Sequence, residues 1–490
     1  MQTALAYHQA GNLSEAGHLY QDILEVEPHH PDALHLLGVK CHQSGDCEKA
    51  VGLIVDAIRR NPSQPVYHNN LGLVLMALSR TEEAVASLRK AVEIGDHYAD
   101  AHYNLGKCFH EKGEDELAKR EYRKTITIDP RHAEALSNLG TIHHQQGEYE
   151  KSVAYQTRAA RANPLLARVH YNLGNGLRAL NRRQEAIVAF QEAVRSEPSH
   201  ENAWCNLGMV QKEVGQRETA QSSLQKVLDV NPRNASVLRV LSIIQHEAGE
   251  EEAALATMCQ AMEIEPENES GRHLLAALKG ETTDRAPEGY VRNLFDDYAA
   301  RFETDLVKGL GYEVPRQLRE LLGRMVGPEV RFGRLADLGC GSGLVGEAFG
   351  DICDWMGGVD LAPRMIEQAR AKDCYDELVA ADVVDYVTSA TEPFDLVVAA
   401  DTVVYLGNLD PLFKAVAGNT SSRARLVVST ELSDDSDFVL RRSGRYAHSE
   451  EYLSSLAWRH GMSVEACENV NLRKEGQKWI QGQLLILRCG

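Results

Sequence analysis

The first 280 residues repeat with a period of 34, and that period decides what they can fold into. Pro28, Pro62, Pro130, Pro164, Pro198, Pro232 and Pro266 share one register, with Asp96 in the missing slot. Gly38, Gly72, Gly106, Gly140, Gly174 and Gly208 keep a second, which Ser242 breaks. Ala16, Ala50, Ala84, Ala118, Ala186, Ala220 and Ala254 keep a third, with Ser152 in place of one alanine. Midway stand Gly11, Gly45, Gly113, Gly147, Gly215 and Gly249, where a tight turn joins two helices. Each proline stops a helix, because it lacks the amide hydrogen and clashes with the preceding turn. One helix pair cannot bury its apolar face alone, so the pairs must stack on one another.

With these residues, 1–280 resembles the tetratricopeptide repeat, in about eight units closed by a capping helix over Glu267–Gly280. The resemblance implies an all-α superhelix with a concave groove. Met1 falls inside the first unit, whose first helix is therefore short, as a natural cap or as a truncated start. Asn70, Asn104, Asn138, Asn172 and Asn206 recur in five consecutive Asn-Leu-Gly triplets. Asparagine is a poor helix-interior residue, so the recurrence needs a reason. The ladder is similar to that of the O-linked N-acetylglucosamine transferases. That likeness implies carboxamides facing the groove and hydrogen-bonding the backbone of a peptide or protein substrate. Copying of one repeat into the next is the plainer account. His42, His110 and His144 also recur, beside Arg178 and Lys212. Adjacent repeats stand about 10 Å apart, too far for a shared metal ion, so no metal site is expected.

Composition narrows the class further. Lys and Arg number 52 against 71 Asp and Glu, a net charge of −19 that argues against a grip on nucleic acid or anionic lipid. No apolar run approaches the roughly 18 residues of a membrane span, and no basic-then-apolar leader opens the sequence. The ten cysteines form no CxxC pair and are scattered, the usage of a reducing, cytoplasmic setting. The pattern leaves the oligomeric state open.

Beyond Ala286 the period stops. Tyr290–Met325 reads as helical, and strands then alternate with amphipathic segments: Arg334–Cys340, Met356–Leu361, Leu378–Asp382, Phe394–Asp401 and Arg425–Thr430. Ser463–Leu472 and Trp479–Arg488 follow with little between them, which predicts a closing antiparallel pair. The expected fold is a repeat solenoid over 1–280, a linker with lid helices over 281–333, and an α/β Rossmann-like domain over 334–490. Its sheet should have seven strands, the last antiparallel.

The first strand runs into Asp337-Leu-Gly339-Cys-Gly341-Ser-Gly343, which resembles the signature of class I S-adenosyl-L-methionine-dependent methyltransferases. The resemblance implies that Asp337 orients the loop and that the glycines pass close under the cofactor. Asp360 would take the ribose hydroxyls, with Leu361 and Met365 near the adenine. Asp382 and Val383 would hold the adenine amine, and Ala400 and Asp401 end strand four, before Tyr405. Gly341-Ser-Gly343-Leu-Val-Gly346 also satisfies a dinucleotide fingerprint. Asp337 before the loop, the acids at successive strand ends and the terminal strand pair favour the methyl donor.

Leu294–Glu303 resembles the lid helix of small-molecule-type methyltransferases, where Tyr298 and Phe302 would cover the sulfonium; ordinary helix packing explains them equally. Repeats, lid and glycine loop together resemble bacterial methyltransferases containing tetratricopeptide repeats. Arg441, Arg445, Tyr446 and His448 stand where such enzymes recognise substrate. The arginines and Tyr446 would clamp a carboxylate or acidic peptide, with His448 as general base and Tyr405 the alternative; a solvated loop with a helix-capping His448 is the rival reading. Asp401-Thr402-Val403-Val404 replaces the N/D-P-P-Y/F motif, against nucleobase or glutamine-amide methylation. The expected function is methylation of a peptide or protein held in the groove. Its rivals are a small-molecule methyltransferase whose repeats recruit a partner, and a non-catalytic scaffold.

Overall fold

The computed structural model describes residues 1–299, 302–303, 306, 309–327, 329–435, 437–475 and 478–490, with all their side chains but those of Asp297 and Glu475. Its contacts divide the chain into two compact units, Met1–Pro232 and Arg233–Gly490.

The first unit consists of helix pairs, from Gln2–Gln9 with Leu13–Val26 to Glu201–Glu213 with Arg217–Val230. The registers now have physical causes. The mid-repeat glycines Gly11, Gly45, Gly113, Gly147 and Gly215 have φ between 75° and 87°, a region that costs a residue with a β-carbon. Ser79 and Asn181 fill that slot in the two repeats without glycine, at φ 58° and 59°. A β-carbon on Gly72 would meet Leu88 at 2.5 Å and one on Gly106 would meet the Tyr122 ring at 2.8 Å, so the second glycine register is set by close helix pairing. The register alanines are fully buried. A further device, unread in the sequence, keeps the same 34-residue period. The ring nitrogens of His68, His102, His170 and Trp204 donate to the carbonyls of Pro62, Asp96, Pro164 and Pro198 at 2.9–3.1 Å, fastening each first helix to the turn before it.

The second unit opens with the last helix pair, Ala235–Glu247 and Glu251–Ile264, and the capping helix Glu269–Lys279. The helical expectation for Tyr290–Met325 resolves into Glu288–Tyr298 and Val314–Val326. Gly311 at φ 67° precedes the second of these, and Pro315 lies in its first turn.

Then come β1 (Phe332–Leu338), β2 (Cys353–Asp360), β3 (Glu377–Ala380), β4 (Phe394–Ala399) and β5 (Thr420–Leu432), parallel in the order β3-β2-β1-β4-β5. Two short strands, β6 (Phe438–Leu440) and β7 (Tyr446–His448), form a hairpin whose β7 pairs with the last two residues of β5. The long β8 (Met462–Glu475) and β9 (Lys478–Cys489) are antiparallel, and β9 lies against β5 from Arg425↔Arg488 to Glu431↔Gly482. The seven long strands thus match the sequence reading, and the hairpin raises the sheet to nine. Both faces are covered. Leu396 and Val398 of β4 pack to one side with Leu322, Phe349 and Ile486, while Val397 and Ala399 pack to the other with Phe413, Leu456 and Leu487. Among the described residues no helix is long and apolar enough to cross a membrane.

Candidate active site

The carboxyl ends of β1, β2, β3 and β4 converge on a cavity of about 310 Å³. Gly339, Gly341 and Gly343, after β1, have φ of 72°, 52° and 92°, so only glycine makes this turn without strain. A β-carbon on Gly339 would collide with Thr402, whose hydroxyl donates to the Leu338 carbonyl at 2.5 Å. Asp360, ending β2, fixes the turn from beside it. Its Oδ2 accepts from the Gly341 amide at 3.0 Å and its Oδ1 from the Ala362 amide at 2.8 Å. Burial nevertheless raises its pKa, against those two amides.

Asp337 lies behind this wall. It is fully buried; its Oδ2 accepts from the Tyr375 hydroxyl at 2.7 Å, and its Oδ1 has no partner. Burial pushes its carboxyl up to about 7. After β3, Asp382 caps the helix Val383–Ser389 through the Val384 amide and takes a hydrogen bond from Arg285 at 2.6 Å. After β4, Asp401 is held at φ 58° with its amide donating to Ser429, a strained backbone of the kind found at functional sites. Arg473 of β8 grips both Asp401 oxygens at 2.5 and 2.7 Å, and its other terminal nitrogen donates to Glu431 at 2.5 Å. Arg445 donates to the same Glu431 at 3.0 Å.

Most of the residues read from the sequence meet here. Gly339, Gly341, Asp360, Leu361, Asp382 and Val383 line the cavity. Ala400, Asp401, Tyr405 and Arg445 line its other side, and Tyr298 and Phe302 its lid. The Tyr298 and Phe302 rings meet edge to face at 5.6 Å, and Phe302 faces Gly341. Ala300 and Arg301 of the lid segment lie outside the described residues.

Others fall elsewhere. Asp337, Gly343 and Met365 are not in the lining; Met365 is fully buried with Ala299 and Ala362, supporting the lid helix from below. The expected base His448 is fully buried away from the cavity. Its Nε2 donates to the Leu406 and Gly407 carbonyls at 2.9 and 3.1 Å, Nδ1 lies 2.6 Å from the Thr430 hydroxyl, and burial pushes its pKa down to about 4. His448 is a structural residue here. Tyr405 lines the cavity, yet burial raises its phenol far above the usual range, so it donates a hydrogen bond at neutral pH instead of accepting a proton. Tyr446 is fully buried, 2.5 Å from the Thr283 hydroxyl, and Arg441 donates to the Leu432 carbonyl, so neither faces the cavity.

The asparagines of the ladder hydrogen-bond within the repeats, with Asn104 buried and the other four half-buried. Asn104 donates to Asn69 at 2.9 Å and Asn206 to Asn175 at 2.7 Å; Asn70 meets His35, Asn138 meets Tyr122, and Asn172 meets Thr141. All five of these bonds join neighbouring repeats, which accounts for the recurrence without a ligand. Tyr312, Arg285 and Arg473 are lining residues that sequence reasoning missed. Arg473 carried one faint signal, a charge beside Leu472 within an otherwise ordinary strand pattern.

Stacked helix pairs and a doubly wound sheet with a glycine turn define a repeat protein joined to a class I methyltransferase fold. Family models agree. Tetratricopeptide-repeat models match residues 7–72, 72–113, 106–147, 133–164, 167–200 and 201–234, and a methyltransferase-domain model matches 336–426. The chain is a tetratricopeptide-repeat protein that carries a methyltransferase domain. No curated protein matches it. Similar solved structures include MamA, at 23% identity over 34% of this chain and 96% of that one, TM-score 0.31. PilF of Pseudomonas aeruginosa follows at 25% identity over 42% and 93%, TM-score 0.37. YrrB, titled a TPR protein with an unusual peptide-binding site, stands at 24% identity over 38% and 96%, TM-score 0.35.

Proposed function

We propose that the chain is an S-adenosyl-L-methionine-dependent methyltransferase acting on a peptide or protein that its repeats engage. The observation that carries the reading is the glycine turn 339–343, pinned by Asp360 at the wall of the cavity. The residues suit that cofactor. Among the described residues nothing stands closer to a β-carbon position on Gly341 than the Phe302 ring at 3.8 Å, which leaves the turn open to the cavity. Asp360 would hold the ribose hydroxyls with its remaining lone pairs. Tyr298 and Phe302 would face the sulfonium, and Asp382 and Val383 would stand by the adenine. The cofactor supplies an electrophilic methyl group; the chain aligns the acceptor and excludes water.

Calorimetry tests the cofactor. Charge-assisted hydrogen bonds from one carboxylate are worth roughly 1.5–3 kcal/mol, so Asp360→Ala should weaken S-adenosyl-L-methionine about ten- to a hundredfold. Unchanged affinity, or preferential binding of NADH, would overturn the assignment. A second reading, a small-molecule acceptor with repeats that recruit a partner protein, gains support from the hydrogen bonds that the asparagine ladder makes between repeats. Incubation of lysate with radiolabelled cofactor separates the two by whether label enters protein or small molecules.

A further inference from the structure

The sheet order sets two of the arginines of the cavity apart from the acids of β2 and β3. Asp360 and Asp382 sit at the ends of β2 and β3, whereas Arg445, just before β7, and Arg473 of β8 reach it from beyond β5. Three strand spacings lie between β2 and β5, about 14 Å. The arginine side is built in place: Glu431, 1% exposed, accepts from both guanidinium groups, and Asp401 takes two further bonds from Arg473. Arginines held this way lose little freedom when they take a ligand.

Among the described residues no histidine or lysine lines this cavity. Both oxygens of Asp401 are engaged by Arg473, and Asp382 is engaged by Arg285 and a helix amide. Tyr312 and Tyr405 keep their protons because burial raises both phenols. The wall is thus rich in donors and poor in proton acceptors. A hydroxyl or amide acceptor needs a base that is missing among the described residues there, and an amine arriving as ammonium needs one as well to lose its proton. An acceptor that is already an anion at neutral pH needs none.

Building on the methyltransferase reading, we infer that the methyl acceptor is a carboxylate, drawn to Arg445 and Arg473 and released as a methyl ester. A carboxylate oxygen lone pair forms the new O–CH3 bond while the S–CH3 bond breaks, and the bonding pair stays on sulfur. Carboxylate and sulfonium become neutral ester and neutral thioether, and no proton moves.

The first test uses the full chain saturated with S-adenosylhomocysteine and two probes of one shape, phenylacetate and phenylacetamide, by calorimetry. The carboxylate should bind about tenfold tighter or better, with Arg445→Gln abolishing the difference and Arg445→Lys restoring part of it. Equal affinity of the two probes overturns the inference. The second test incubates the full chain with lysate and methyl-tritiated S-adenosyl-L-methionine, then raises the product fraction to alkaline pH. Esters release volatile labelled methanol, and that release is the expected result. Label that survives alkali overturns the carboxylate but leaves the methyltransferase standing, whereas failure of S-adenosyl-L-methionine to bind overturns the underlying reading.

Discussion

At the scale of single residues, His448 shows how much position in the fold changes a side chain's chemistry. In the sequence it stands among arginines in a loop, the place for a base. In the structure, two carbonyls fix the proton on Nε2 and burial holds the pKa at about 4. The native ring therefore binds fewer protons than the unfolded ring, whose pKa is about 6.5. Stability conferred by the neutral ring is fully present above about pH 6.5 and is lost progressively as pH falls toward about 4. The total is on the order of 3 kcal/mol. Melting curves of wild type and His448→Gln across that window should show a steeper acid loss in the wild type by about one proton. Parallel pH slopes would mean that His448 titrates normally and faces water. His35 in the first unit is depressed to about the same value by burial, so the wild-type slope that remains in the variant includes it.

At the scale of elements, the β6–β7 hairpin is the part that the sequence did not foretell. Its turn is tied to the end of the repeats. His273 of the capping helix donates from Nε2 to the Gly444 carbonyl at 2.9 Å, Arg442 pairs with Glu251 at 2.7 Å, and the Leu440 amide donates to Thr282 at 3.3 Å. Arg445 follows one residue later at the cavity. His273 is 3% exposed, so His273→Ala leaves a carbonyl of the turn unpaired and should destabilise the second unit by about 1–3 kcal/mol. Arg442→Ala breaks a solvent-exposed pair and should cost about 0.5 kcal/mol or less. Chemical denaturation of the two variants checks the contrast, and equal small effects would mean that the hairpin docks weakly. The seven main strands were legible because short runs of apolar residues and acids at strand ends leave marks in one dimension. The glycine turn was legible for the same reason, since it lies within a short stretch of sequence. Three-residue strands leave no period, and the Asp401–Arg473–Glu431 network joins positions 401, 473 and 431, which no spacing rule connects.

At the scale of the whole molecule, the two compact units should respond separately to substitution, and the asparagine ladder provides the test. The sequence allowed it to be a ligand-binding device that could be removed without harm, since alanine is the better helix former. The structure gives each amide a partner within the repeats, so removal takes one hydrogen bond each from Asn69, Tyr122 and Thr141. In Asn104→Ala with Asn138→Ala and Asn172→Ala, three lost hydrogen bonds at about 1 kcal/mol each outweigh three propensity gains of about 0.6 kcal/mol each. The first unit should lose on the order of 1 kcal/mol and melt earlier, because stability in stacked repeats is a sum of neighbour terms. On the proposed function cofactor affinity rests with Asp360 and the glycine turn, both in the second unit, and should stay at the wild-type value. Calorimetric melting alongside S-adenosyl-L-methionine titration of the triple variant measures both. A first unit that melts at or above the wild-type temperature would show that these bonds contribute nothing net, and would return the ladder to the groove.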